Sequence, residues 1–248
     1  MEGGMASRHG TSEALDEIQS SADRLGEWIQ KHLILVGGTI GGLLVAAAVV
    51  SFVVSMRESA ERDASTALAE VRNEYLAAMG AGPGSLDVPE LASEEAARRI
   101  REEYGRRFGE VADAHAGTVS GALARLEVAQ LRADAGDHAG ALALYDQILG
   151  EGAGGDRIRG LVLQRAAAEL EETGAFAEAA ARHEQAAALP GYPLRHWALA
   201  DAARCRAAAG DSAAALALYR RLTAEDPELR LPDHQRVQMQ ELEAAAGL

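Results

Sequence analysis

Seven histidines, one cysteine and one lysine are the side chains best suited to metal, nucleophilic or amine chemistry, and their spacing supplies almost none of it. Lys31 is the only lysine, which excludes a phosphate-cradling G-x-x-x-x-G-K-[ST] loop and a Schiff-base lysine in the chain beyond it. Gly150 to Gly155 (GEGAGG) shares only its composition with a phosphate loop and reads as a flexible turn. His9, His32, His115, His138, His183, His196 and His234 form no H-E-x-x-H and no pair at ligand spacing. No serine lies in G-x-S-x-G. Cys205 stands alone, so neither an intrachain disulfide nor a zinc site built on cysteines can form. Its thiol has two readings, a redox sensor or a small buried hydrophobe in an alanine-rich helix. Arg204 and Arg206 flank it, but neighbours in sequence point to different faces of a helix. No catalytic residue, metal ligand or cofactor is expected, and no enzymatic activity.

The segments that carry these residues are set first by residues 33–56 (LILVGGTIGGLLVAAAVVSFVVSM), which contain no charge. As a helix rising 1.5 Å per residue the run is roughly 36 Å long, enough to cross a hydrocarbon core of ~30 Å with some tilt. No other segment is apolar enough to bury a helix that is hydrophobic all round. A secretory signal has a short basic leader, a shorter apolar run and a small-x-small cleavage site. Here the leader is acidic, with three basic and six acidic groups in residues 1–32, and Val53-Val54-Ser55 only weakly imitates a cleavage site. A retained anchor is expected. Arg24 and Lys31 on one side nearly balance Arg57, Arg62 and Arg72 on the other, so charge alone leaves the topology open. The span also holds Gly37-x-x-x-Gly41 and Gly38-x-x-x-Gly42, with Ala46 next on the second row. That face either docks another span or a second copy, or reflects only the frequency of glycine in membrane helices.

Beyond the span lie about 190 residues rich in alanine, leucine, glutamate and arginine, a mixture that favours helix over sheet. They carry 21 basic and 32 acidic groups, a balance that repels nucleic acid and anionic lipid.

Residues 1–10 look unstructured, and Thr11–Lys31 is expected to form an amphipathic helix through Leu15, Ile18, Ala22, Leu25 and Ile29, or else a solvated tail. Trp28 falls where a membrane interface would hold an indole. Arg57–Met79 should continue as a helix with Ala67, Val71, Tyr75 and Met79 on one face. Gly80–Pro89 breaks it, and Ser93 opens another helix striped by Ile100, Tyr104 and Phe108.

Further on, the chain nearly copies itself. Ala135-Gly136-Asp137-His138-Ala139-Gly140-Ala141-Leu142-Ala143-Leu144-Tyr145 recurs 74 residues later as Ala209 to Tyr219, with a looser copy from Thr173 to His183 between them. The period of 36 to 38 residues predicts an array of helix pairs. In each copy a glycine ends the first helix. Ala141, Ala179 and Ala215 then sit where two helices cross, and Tyr145, His183 and Tyr219 fill the space toward the next pair. Pro190 and Pro227 close the second and third units.

These residues resemble the tetratricopeptide repeat, over about Thr118 to Pro227. Ala129, Ala167 and Ala203 match its small residue in the first helix, while the large aromatics of that helix are missing. The expected fold is all-α: one transmembrane helix followed by a tetratricopeptide-like array. Its segments are a tail (1–32), span (33–56), juxtamembrane helices (57–114), three repeats (115–227) and a capping helix (228–248). That order resembles the ancillary subunit family of the SecYEG translocon. The resemblance implies a single-pass protein of the bacterial inner membrane, N-terminus cytoplasmic and repeats periplasmic. It also implies association with the translocon and with a membrane-anchored prolyl isomerase chaperone in protein export.

Carrying over the groove positions of the repeat gives Leu126 and Gln130, Gln164 and Ala168, then Trp197, Ala200 and Arg204. The lysine and asparagine of a carboxylate clamp are absent there, so the groove suits an extended or helical peptide. Trp197 either anchors that peptide or packs between units. Two function classes remain open, an interaction subunit of the secretion machinery and an envelope-assembly scaffold that dimerises through span and repeats.

Overall fold

The computed structural model describes residues 28, 30–82, 84, 88, 89 and 91–245. The helix expected over Thr11–Lys31 falls almost wholly outside the described residues. Among the described residues there are nine helices and no strand: α1 (Leu33–Ala78), α2 (Glu94–Ala114), α3 (Val119–Asp134), α4 (His138–Glu151), α5 (Gly155–Glu172), α6 (Phe176–Ala187), α7 (Arg195–Ala208), α8 (Ser212–Glu225) and α9 (Asp233–Ala245).

The chain packs as two units, Met1–Arg57 and Glu58–Leu248. In the first, α1 is long and apolar enough to cross a membrane, and none of its most apolar window is buried within the chain. Gly37, Gly38, Gly41 and Gly42 have open space where a Cβ would stand.

In the second unit the fold is antiparallel helix pairs. Pairs α3/α4, α5/α6 and α7/α8 follow one another, and the first helices also touch directly, α3 with α5, α5 with α7 and α7 with α9. The part of α1 beyond Arg57 and α2 make one more pair, which the sequence repeat did not reveal. Glu74 meets Arg107, and the Tyr75 ring lies 5.5 Å from that of Tyr104 and 6.0 Å from that of Phe108. Val71, Tyr75 and Met79 are buried there with Ala67 beside them, the face their spacing predicts.

One turn closes the first helix of all four pairs. Gly80, Gly136, Gly174 and Gly210 have φ of 84°, 82°, 77° and 84°, a left-handed conformation open to glycine at little cost. The next N–H in each case reaches back to a carbonyl five residues earlier: Ala81 to Leu76, Asp137 to Arg132, Ala175 to Leu170, Asp211 to Arg206. This is the Schellman arrangement, which satisfies carbonyls that a helix end leaves free. Asp137 and Asp211 then accept from the N–H of Gly140 and Ala214 and start the second helix. Ala175 holds the corresponding position without a side-chain cap. The crossing alanines Ala129, Ala141, Ala167, Ala179, Ala203 and Ala215 are all fully buried.

The first pair is tied to the second by Glu61. Its carboxylate accepts from the N–H of Val119 at 2.7 Å, the N–H of Ser120 at 2.9 Å and the Ser120 hydroxyl at 2.6 Å. Thr118 takes the N–H of Gly121, so three of the donors exposed at the start of α3 are satisfied. Partial burial pushes the Glu61 carboxyl up, but these hydrogen bonds outweigh it and hold it below its ordinary 4.5. Its stabilisation is therefore full above the ordinary carboxylate range and is lost as pH falls through the lowered value. Glu61→Gln is expected to cost ~1 kcal/mol at pH 7 and to flatten the acid limb of the stability curve. Urea unfolding of the full chain in detergent at pH 7 and in the acid range checks this; equal stability of the two proteins at pH 7 would contradict it.

Candidate functional site

The row of first helices α3, α5 and α7, continued by α9, presents the surface on which the groove residues were expected. Gln130 is half-buried, donates to Asp134 at 2.9 Å and lies 3.5 Å from the Arg165 guanidinium. Ala168 is exposed. Leu126 is half-buried against the core of Tyr145 and Ile148, and Ala200 is wholly buried, so neither adds much to the surface. Trp197 is half-buried in the first turn of α7.

The loop before α7 sets the position of Trp197. The Tyr192 ring lies flat over Gly160 of α5, where a Cβ would fall 2.3 Å from ring carbons. Its hydroxyl donates to the Gln164 side-chain oxygen, and the N–H of Gly191 donates to Asp156 at 2.9 Å. Gln164 thus fastens the loop.

Arg204 is likewise engaged. Its two terminal nitrogens reach the Glu171 oxygens at 2.6 and 2.8 Å, and its Nε lies 3.5 Å from Asp201. His183 Nε2 lies 3.0 Å from the same carboxylate. Burial pushes the Glu171 carboxyl up, yet the hydrogen bonds from His183 and Arg204 and the Arg204 charge bring it down to about 2. The same pairing holds the Arg204 guanidinium above its usual value. Cys205 follows in α7, wholly buried, and burial together with the Glu171 charge pushes its thiol up to about 12. A thiol so placed stays protonated, which favours the small buried hydrophobe over the redox sensor.

Spacing along the chain did not unite Glu171, His183 and Cys205, because they come from α5, α6 and α7. Ligand atoms of all three lie within 4.8 Å of one another. A signal was present in the repeats themselves. Aligned on Gly136, Gly174 and Gly210, His183 replaces Tyr145 and Tyr219, and Glu171 replaces Ala133 and Ala207. Cys205 aligns with Leu131 and Glu169. Glu171 and His183, polar where both neighbouring repeats differ, meet Cys205 at one joint.

No protein-family model matches the chain, and its sequence matches no curated protein. Two solved structures of a putative kinesin light chain with nearly identical TPR-like repeats from Podosopora anserina, one of them a single-substitution variant, are similar to it. Each is 21% identical over 62% of this chain and 84% of the other, with a TM-score of 0.47. The tetratricopeptide-like architecture rests on this chain's own helix pairs, their common turn and their matched alanines.

Gly160→Ala is expected to displace Tyr192, break its bond to Gln164 and cost about 1–3 kcal/mol. Urea unfolding measures the cost and Trp197 fluorescence in a Trp28→Phe background reports the shift of α7; an unchanged spectrum and midpoint would show that the loop does not position this helix.

Proposed function

We propose that this chain is a membrane-anchored protein-interaction subunit that receives a peptide segment of its partner along α3, α5, α7 and α9. The row of contiguous first helices carries this reading, since α3, α5, α7 and α9 touch one another in succession. Trp197 acts as the anchor. A half-buried indole keeps apolar area to offer a ligand at low entropic cost. Gln130 on α3, Gln164 on α5 and Arg204 on α7 are the polar candidates along the same row, and Leu126 packs beneath α3 against the core.

We further propose that the partner machinery is the SecYEG translocon with a membrane-anchored prolyl isomerase chaperone. The chain would sit in the bacterial inner membrane, N-terminus cytoplasmic and repeats periplasmic, and serve protein export. The segment order supports this assignment: acidic leader, one apolar span, then helix pairs. A second reading, an envelope-assembly scaffold that self-associates, draws on the open glycine face of Gly37, Gly38, Gly41, Gly42 and Ala46.

Affinity purification from mildly solubilised membranes, with mass spectrometry of the co-purifying proteins, separates the two. Recovery of translocon subunits and the isomerase supports the export role; recovery of this chain alone or of other envelope proteins moves it to the scaffold. Trp197→Ala is expected to reduce partner recovery at least about tenfold with helicity unchanged, the loss of one strong anchor of ~2 kcal/mol. A fall in the circular dichroism signal would instead assign Trp197 to packing. Gly38→Ile with Gly42→Ile is expected to weaken whichever association the span provides, and undiminished recovery would exclude that face.

A further inference from the structure

We propose that Glu171, His183 and Cys205 bind a divalent transition-metal ion of the zinc class, clasping the helix pairs α5/α6 and α7/α8 together. Three helices deliver one carboxylate, one imidazole and one thiol to a single point, with their ligand atoms within 4.8 Å of one another. An oxygen, a nitrogen and a sulfur donor form a set that zinc accepts and that calcium or magnesium does not. His183 and Cys205 are buried and Glu171 is partly open, so an ion enters past the carboxylate.

Four-coordinate zinc has bonds of ~2.0–2.3 Å and hence ligand atoms ~3.3–3.8 Å apart. His183 Nε2 and Glu171, 3.0 Å apart, open slightly, and the widest separation of the trio shrinks by roughly 1 Å, both within reach of side-chain torsions. Arg204 remains in place as a positioning residue. It spans both oxygens of Glu171, so one oxygen can turn to the metal while the other stays on the guanidinium. Charge closes as well. The metal's two positive charges meet the Glu171 carboxylate and a Cys205 thiolate, while Arg204 is offset by Asp201 3.5 Å away. On binding, the S–H bond of Cys205 breaks, its proton leaves to water and a sulfur lone pair goes to the metal, while His183 binds as the neutral imidazole, any hydrogen on the ligating nitrogen passing through water to the other ring nitrogen.

Packing alone does not require these residues. The equivalent positions in the neighbouring repeats hold tyrosine at His183 and alanine at Glu171, and Ala133, Tyr145 and Tyr219 are buried there. His183 leaves its Nδ1 buried with no partner, as Tyr145 leaves its hydroxyl, so the repeats differ in the donor they offer rather than in the cost of burying it.

The chain's single cysteine makes the test unambiguous, because any thiolate–metal signal must come from Cys205. Reduced, chelator-treated full chain in detergent is titrated with Co²⁺. One equivalent is expected to raise a thiolate-to-cobalt charge-transfer band that Zn²⁺ then abolishes by displacement. Zn²⁺ is also expected to raise the melting temperature. His183→Tyr, the residue that neighbouring repeats carry, should fold as the parent does and bind at least about tenfold more weakly. Cys205→Ser should lose the band entirely. No band from folded parent protein overturns the proposal, and so does a band of equal affinity in folded His183→Tyr.

Discussion

Two helices of this array can lie close only where neither carries more than a methyl group at the crossing, and every repeat pair depends on that condition. Ala129 with Ala141, Ala167 with Ala179 and Ala203 with Ala215 meet it, each without solvent exposure. A side chain one methylene larger has nowhere to go in an interior packed to crystal density. Close crossing then leaves a gap one turn further along the same face of the second helix. Tyr145, His183 and Tyr219 fill it and pass contact to the next pair, so the alanines set the spacing and the larger residues set the stacking. The glycine turn adds direction. The same closure at Gly136, Gly174 and Gly210 reverses the chain in each repeat, and the row of first helices results from that repetition.

What could be read in the residues was what repeats or what is local. The crossing alanines, the turn glycines at 136, 174 and 210, and the helix start at Ser93 were all evident from type and spacing. Residues 33–56 declared themselves by the absence of charge. The pair formed by α1 and α2 was hidden because the stretch between Gly80 and Ser93 breaks the period, although Gly80 makes the same turn as its counterparts. Glu61 was invisible as a cap because it serves a helix start 58 residues away. Among the residues expected to line a groove, Trp197 and Gln130 keep part of their surface, whereas Ala200 is wholly buried. Register gives a face, and only the neighbouring helix decides whether that face is covered.

Polar residues inside the joints show the cost of specificity. Arg125 is almost wholly buried, its guanidinium reaching Asp113, Glu151 and the carbonyl of Ala112. Glu169 is buried against His138 at 2.8 Å, and Glu171 is bound on both oxygens by Arg204. None of these groups gains much over a well-packed leucine, because desolvation offsets most of the attraction. Each does penalise a slipped register, since a shift of one turn would strand a charge. In an alanine-rich array, where one turn resembles the next, such penalties distinguish the native stacking from its near copies.

The two ends of the helical stack differ in how they are held. At the start, a carboxylate from α1 grips three donors at the opening of α3. At the finish, α9 lies where the first helix of another pair would lie, yet Gln235 is its one buried residue. Its side-chain oxygen has no partner, and Gln238 adds a bond of 3.1 Å to Tyr219. A stack with one clamped end and one glutamine-faced end opens with a preferred polarity, because in a linear array each unit is stabilised only by its neighbours. Local opening therefore begins at α9 and uncovers Tyr219 and Asp201 before anything else. The surface exposed first under thermal or mechanical load is the far end of the stack, while the helix pair that α1 opens stays closed.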